Sequence, residues 1–158
     1  MLSAGIKNIV VVLGANRKKI RPVINDLPVC IAINDRPDSH MADSVSKGLS
    51  KMPESITGIM VALCDHPLVS PKTYGALYAC FYQVPDSIIV PVYNGKGGHP
   101  TIFPRSLCKS VDNGIPLNQV LHTNPHRVCR IPVNDPGVVH DMDTPADYRR
   151  ILSMGGKE

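Results

Sequence analysis

The 158-residue sequence has no tryptophan and only two phenylalanines. Nucleic-acid binders that stack bases need aromatic platforms set in a long basic stripe. The only basic run here is Arg17-Lys18-Lys19-Ile20-Arg21, which reads as the solvated face of a helix. No nucleic-acid partner is expected, although a net charge of +4 gives a mild field that favours an anionic substrate. No apolar run reaches the roughly 18 residues that a membrane span needs. The opening Met1–Lys7 lacks signal-peptide architecture, so a cytoplasmic protein with no membrane contact is expected. The five cysteines include no C-x-x-C pair. A structural zinc site, which takes closely spaced ligand pairs, is therefore not expected, and the thiols read as reduced core side chains. There is no G-K-[ST] phosphate loop and no G-x-G-x-x-G after a first strand.

What is present is globular: 43% hydrophobic and 19% charged residues, with no linker, repeat or low-complexity tract. Residues 1–158 read as a single domain. Ile9–Leu13, Pro28–Ile33 and Ile59–Leu63 are continuous apolar runs rich in β-branched residues, as strands buried on both faces require. Ser87–Pro91 is a fourth strand, Thr101–Phe103 a short fifth, and Arg127–Val133 a more exposed sixth. Met41, Val45, Leu49 and Met52 fall on one helical stripe, with Ser39 as its N-cap. Ser70-Pro71 opens a helix to about Gln83, and Thr144-Pro145 opens a last one that Gly155-Gly156 releases. Two short helices are expected near Arg105–Val111 and Leu117–His122. The alternation predicts an α/β fold, a three-layer α/β/α arrangement around a mostly parallel twisted sheet.

In open α/β sheets ligands lie beyond the carboxyl ends of strands. After Ile59–Leu63 comes Cys64-Asp65-His66-Pro67-Leu68. Asp65 could hold Mg²⁺, which prefers carboxylate oxygens and substrate phosphates, or it could belong to a plain turn. In His140-Asp141-Met142-Asp143-Thr144-Pro145, helix capping accounts for Asp143 or Thr144 but not for Asp141, two residues before Asp143 in an extended segment. Those carboxylates could share a cation with Asp65. Asn94-Gly95-Lys96-Gly97-Gly98-His99-Pro100 is either a backbone cradle for a ligand or a hairpin loop, with His99 a ligand contact or a loop histidine. Ser39–Ser44 starts the Met41 helix, where free amides suit an anion or a base edge, or mere capping.

Taken in order, these stretches resemble the MobA-like nucleotidyltransferases, most closely the branch that transfers CMP or AMP to molybdopterin. Leu63–Val69 is similar to that family's L-x-D-x-P-L-V motif, Gly98-His99-Pro100 to its G-H-P loop, and Asp141–Asp147 to its D-x-D-T-P-x-D signature. Ser39–Gly48 resembles its G-M-a-x-S helix start, with His40 in place of the usual glycine. The resemblance implies a Rossmann-like nucleotide-diphospho-sugar transferase fold. It implies Mg²⁺ on Asp65 and Asp141 as catalytic residues, and an acceptor pocket shaped by Gly98, His99 and Pro100. Ser44 and His66 join the substrate-binding residues, Ser44 near the nucleotide. The implied substrates are CTP, ATP or GTP and a molybdopterin-like acceptor.

The family's opening strand and glycine-rich loop, L-A-A-G-x-S-x-R-M-G-x-x-K, has no counterpart in these residues. Leu2-Ser3-Ala4-Gly5 matches it for four letters and reads instead as the tail of a helix ending at a glycine. Because that opening strand lies between the counterparts of Ile9–Leu13 and Ile59–Leu63, two outcomes are expected. Either those two strands pair directly, or a second copy of the chain covers the gap as a homo-oligomer. Without the loop's arginine and lysine the chain is expected to be inactive or weakly active. A non-catalytic module that binds an acceptor or a protein is the alternative, and an unrelated flavodoxin-like or Rossmann-like binder ranks last.

Overall fold

The apolar runs become strands in the computed structural model, which describes residues 1–36 and 38–155. In chain order the elements are β1 (Val10–Leu13), α1 (Arg17–Ile24), β2 (Cys30–Ile33), α2 (Met41–Leu49), β3 (Gly58–Val61) and α3 (Pro71–Gln83). There follow β4 (Ile88–Tyr93), β5 (Lys96–Gly97), β6 (Thr101–Pro104), α4 (Arg105–Cys108), α5 (Leu117–Thr123), β7 (Val128–Pro132) and α6 (Pro145–Gly155). None of these helices is long and apolar enough to cross a membrane.

The strands form two sheets. One is the parallel pair β1–β2, and the other runs β3-β6-β4-β5 with β7 also paired to β4. The expected mostly parallel sheet is corrected by this arrangement. In the larger sheet β3–β6, β4–β6 and β4–β5 are antiparallel, and only β4–β7 is parallel. The cause is a missing crossover. β4 returns through the two-residue turn Asn94-Gly95, both with positive φ, and β6 then enters between β3 and β4 with no helix to reverse it. So the Asn94–Gly97 stretch is a hairpin, and the short Thr101–Pro104 strand is central, with all four residues buried.

Side-chain alternation gives this sheet its two cores. Leu77 and Phe81 of α3 pack on Ile89 and Ile102 over one face. On the other face Cys108, Val111, Leu117 and Val120 close over Ile59, Ile88, Val90 and Phe103. Helices therefore cover both faces, as the three-layer expectation required.

Among the described residues no ladder joins β1 to β3, so the two strands do not pair directly. Helix α2 bridges the break. Its Gly48 lies against Val12 of β1, its Val45 and Leu49 pack into the larger sheet's core, and the Ser46 hydroxyl donates to Asp112 at 2.7 Å.

Several helix ends differ from the sequence pattern. The cap of α2 is His40 rather than Ser39, because the His40 amide bonds to the Asp43 carboxylate at 2.8 Å and Asp43 occupies the third helical position. Met41 stands outside the packed stripe, mostly exposed. The helix expected over Arg105–Val111 divides into α4 and a 3-10 turn, Lys109–Asn113, closed by Gly114. Leu2–Ala4 is a 3-10 turn ended by Gly5 at φ 78, and Met1, Ala4 and Ile6 pack beside Val69, Tyr74 and Val138. Gly156, expected to release α6, lies outside the described residues.

Candidate functional site

The carboxyl ends of β3, β4 and β7 and the start of β6 meet at one end of the larger sheet. Asp65 and His66 follow β3 there, and Gly98, His99 and Pro100 lead into β6. The His66 and His99 rings lie with centroids 5.4 Å apart and a tilt of 57°. His66 Nδ1 is 3.3 Å from the Gly137 carbonyl oxygen. A carbonyl only accepts, so Nδ1 carries the proton and Nε2 faces Asp65, 4.0 Å from Oδ1. The His99 amide donates to the Val138 carbonyl at 2.8 Å. Burial lowers the His99 pKa, and the neighbouring His66 lowers it further; Asp65 and a backbone bond to Val61 oppose them without prevailing. His99 is thus held neutral.

Three buried polar atoms in and beside this site have no partner: Asp65 Oδ1, His99 Nδ1 and His140 Nδ1. A buried carboxylate oxygen without a donor is costly, and a bound cation relieves that cost. Among the described residues no three His, Cys, Asp or Glu side chains converge as a ready cage. A hard divalent cation of the Mg²⁺ kind needs none, since it binds through one or two carboxylates plus waters and phosphates. Asp65 fits such a cation as its anchor.

Two glycines let the surrounding segments close. A Cβ on Gly98 would overlap the Val138 carbonyl oxygen, and one on Gly137 would lie 2.5 Å from the Leu68 carbonyl. The segment 135–139 is therefore pressed between the loop holding Asp65 and the loop holding His99. Asp135 fastens it. Its carboxylate accepts from the Ser70 amide at 2.9 Å, the Thr73 hydroxyl at 2.5 Å and the Gly137 amide at 3.0 Å. Burial alone would raise the Asp135 pKa, but the bonds from Thr73, Ser70 and Gly137 outweigh it and hold the carboxyl below its ordinary range.

The remaining predicted residues are placed as follows. Asp141 and Asp143 are exposed in the extended segment before α6. Thr144 and Asp147 form a capping box, with the Asp147 amide bonded to the Thr144 hydroxyl at 3.2 Å and the Thr144 amide to the Asp147 carboxylate at 3.0 Å. Ser44 lies on α2, and its hydroxyl accepts from Asn34 Nδ2 at 2.9 Å. Sequence reasoning missed Asn34, whose side chain is buried with Oδ1 free of partners at the end of β2. The available signal was an amide residue directly after a buried strand. Asp135 was missed too, its Asn-Asp-Pro setting reading as an ordinary turn. A separate cleft of about 750 Å³ opens at the opposite strand ends, between Thr57, Asp86, Arg105 and Lys109, and takes none of these residues.

The fold is α/β, and it gathers Asp65, His66 and His99 at one end of the larger sheet. The MobA-like NTP transferase domain family matches residues 1–121, and the chain belongs to that family. The crystal structure of Rv0371c from Mycobacterium tuberculosis H37Rv is similar over 96% of this chain and 78% of its own, with 26% identity and a TM-score of 0.81. A manganese complex of Rv0371c aligns at 23% identity, covering 96% and 80% of the two chains with a TM-score of 0.76. A nucleotidyl transferase from Methanothermobacter thermautotroptrophicus aligns at 19% identity over 97% and 75%, with a TM-score of 0.80, and shares the fold. No protein of curated function matches the sequence.

Proposed function

We propose that the chain carries the metal and acceptor side of a nucleotidyltransferase that joins a nucleotide from CTP, ATP or GTP to a molybdopterin-like acceptor and releases pyrophosphate. The observation behind this reading is the buried, partnerless Asp65 Oδ1 at the end of β3. Asp65, with Asp141 as second ligand, would hold Mg²⁺ or a related divalent cation, and the manganese complex of Rv0371c supports that choice of ion class. When bound, the cation would neutralise phosphate charge during an in-line displacement. The neutral imidazole of His99, the Gly98 backbone and Pro100 shape the acceptor wall. His66, fixed by the Gly137 carbonyl, forms the wall beside Asp65. Ser44, which accepts from Asn34 Nδ2, would lie on the nucleotide side.

These residues include no glycine-rich loop with an arginine and a lysine for the triphosphate. Groups of that kind are worth about three orders of magnitude or more in rate, so slow transfer by the 158 residues alone is expected. A second reading is a non-catalytic module that binds the acceptor or a protein. Among the described residues no strand lies between β1 and β3; a homo-oligomer in which a second copy covers the break is part of this reading, and a monomer in sedimentation would overturn that assembly.

The test is pyrophosphate release from each NTP in the presence of Mg²⁺ or Mn²⁺ and molybdopterin. Release that Asp65→Ala abolishes supports the enzyme. Molybdopterin binding without release at any nucleotide supports the module.

A further inference from the structure

Cys80 and Cys129 hold their Sγ atoms 3.9 Å apart, across 49 residues of sequence. Their meeting follows from the packing. Cys80 lies three residues after Leu77 and one before Phe81, on the side of α3 that covers the sheet. Cys129 pairs with Ile89 in the parallel β4–β7 ladder and alternates with Ile131, so it shows the same sheet face to the helix. Both thiols border the same apolar cluster and both are only half-buried, so a small oxidant can reach them. The other cysteines differ. Cys108 is buried, its thiol pushed up to about 11 mainly by that burial, while Cys30 and Cys64 are exposed on separate segments.

We propose that Cys80 and Cys129 are an oxidation site, at which a peroxide converts the thiol pair to an internal disulfide that pins α3 to β7. One thiolate attacks a peroxide oxygen, the O–O bond breaks, and water leaves a sulfenic acid behind. The second sulfur then attacks the first, the S–O bond breaks, and a second water leaves. Two thiols and one hydrogen peroxide thus give one disulfide and two waters, the peroxide accepting both electrons. The final S–S bond of about 2.0 Å needs rotation of the two side chains and a small approach of the helix to the strand. Burial and the adjacent Cys129 thiol raise the Cys80 pKa, so the reaction quickens toward alkaline pH. The pair sits about 15 Å along α3 from Ser70, and its oxidation does not depend on what Asp65 binds. It would nonetheless tie down at their far ends the two elements that Asp135 already joins near the site.

The experiment uses the full chain with Cys30→Ser and Cys64→Ser, which removes the exposed thiols. After mild hydrogen peroxide, alkylation of the unfolded chain and trypsin digestion, the Val128–Arg130 peptide should be joined to the peptide containing Cys80. Dithiothreitol should release it, and the oxidised chain should melt about 5 °C or more above the reduced one. Recovery of both cysteines as alkylated thiols, or as separate sulfinic acids, overturns the proposal. Cys80→Ser or Cys129→Ser should abolish the joined peptide. Should those variants not fold, dibromobimane on the folded parent decides. A single bimane bridging both peptides supports the site, and two singly modified peptides refute it.

Discussion

The Asp135 carboxylate accepts a hydrogen bond from the Ser70 amide at 2.9 Å, joining residues 65 apart in sequence. Its further bonds to Thr73 and Gly137 leave little of its acceptor capacity unused. Asp135→Asn keeps the shape but turns one acceptor into a donor aimed at donors. We expect a loss of about 2–3 kcal/mol at neutral pH, measured by urea unfolding. The pKa of Asp135 is held below its unfolded value of 3.8. Its contribution is therefore fully present above 3.8 and disappears as pH falls through the folded value. The parent should lose stability steeply over that acid range, and the variant less steeply.

Gly98→Ala and Gly137→Ala each drive a methyl into backbone, at Val138 and Leu68 respectively. Neither neighbour is a flexible side-chain end, so each change should cost about 2 kcal/mol or more in thermal unfolding. Gly75→Ala on α3 is the control. Its Cβ meets nothing within 4 Å, and alanine favours the helix, so the melting temperature should hold or rise.

Isothermal titration with Mn²⁺ tests the carboxylates one at a time. Asp65→Asn should weaken binding by about 10-fold or more, as loss of an anchoring ligand does. Asp141→Asn should weaken it less, and Asp143→Asn should leave it unchanged. Equal affinity in the parent and Asp65→Asn would remove Asp65 from the metal site.

Thiol reactivity checks the burial of the cysteines. Cys30 and Cys64 should react with Ellman's reagent at once in the folded chain. Cys108, buried and with its thiol pushed up to about 11, should react only after unfolding.

Much of this architecture was legible because burial writes itself into apolar runs. Ile88, Ile89 and Val90 are buried on both faces of the sheet, and their sequence says as much. Strand direction left no such mark, because Thr101–Pro104 reads the same whichever way it runs. Direction came from the Asn94-Gly95 turn, whose two positive φ angles bring the chain straight back. The positions of Asp65 just after a strand and of His99 just before one were legible in the sequence. Asn34 and Asp135 were not, because their importance lies in partners distant in sequence, Ser44 for one and Ser70 with Thr73 for the other. A cap at Asp143 or Thr144 was expected, and the structure selects Thr144, while the exposure of Asp141 could not be read from an alternating D-x-D.

The break between β1 and β3 also bears on how the molecule opens. With no ladder across it among the described residues, the β1–β2 pair is tied to the rest through helix packing, α2 above all. Such a unit can detach while the larger sheet stays intact, so its amides should exchange with deuterium as a separate cooperative group, well ahead of those in β4 and β6. A ligand contacting both Ser44 and Asp65 would span that seam. Its binding energy would then appear as slowed exchange at Val10–Leu13 and Cys30–Ile33 as well as around the site itself.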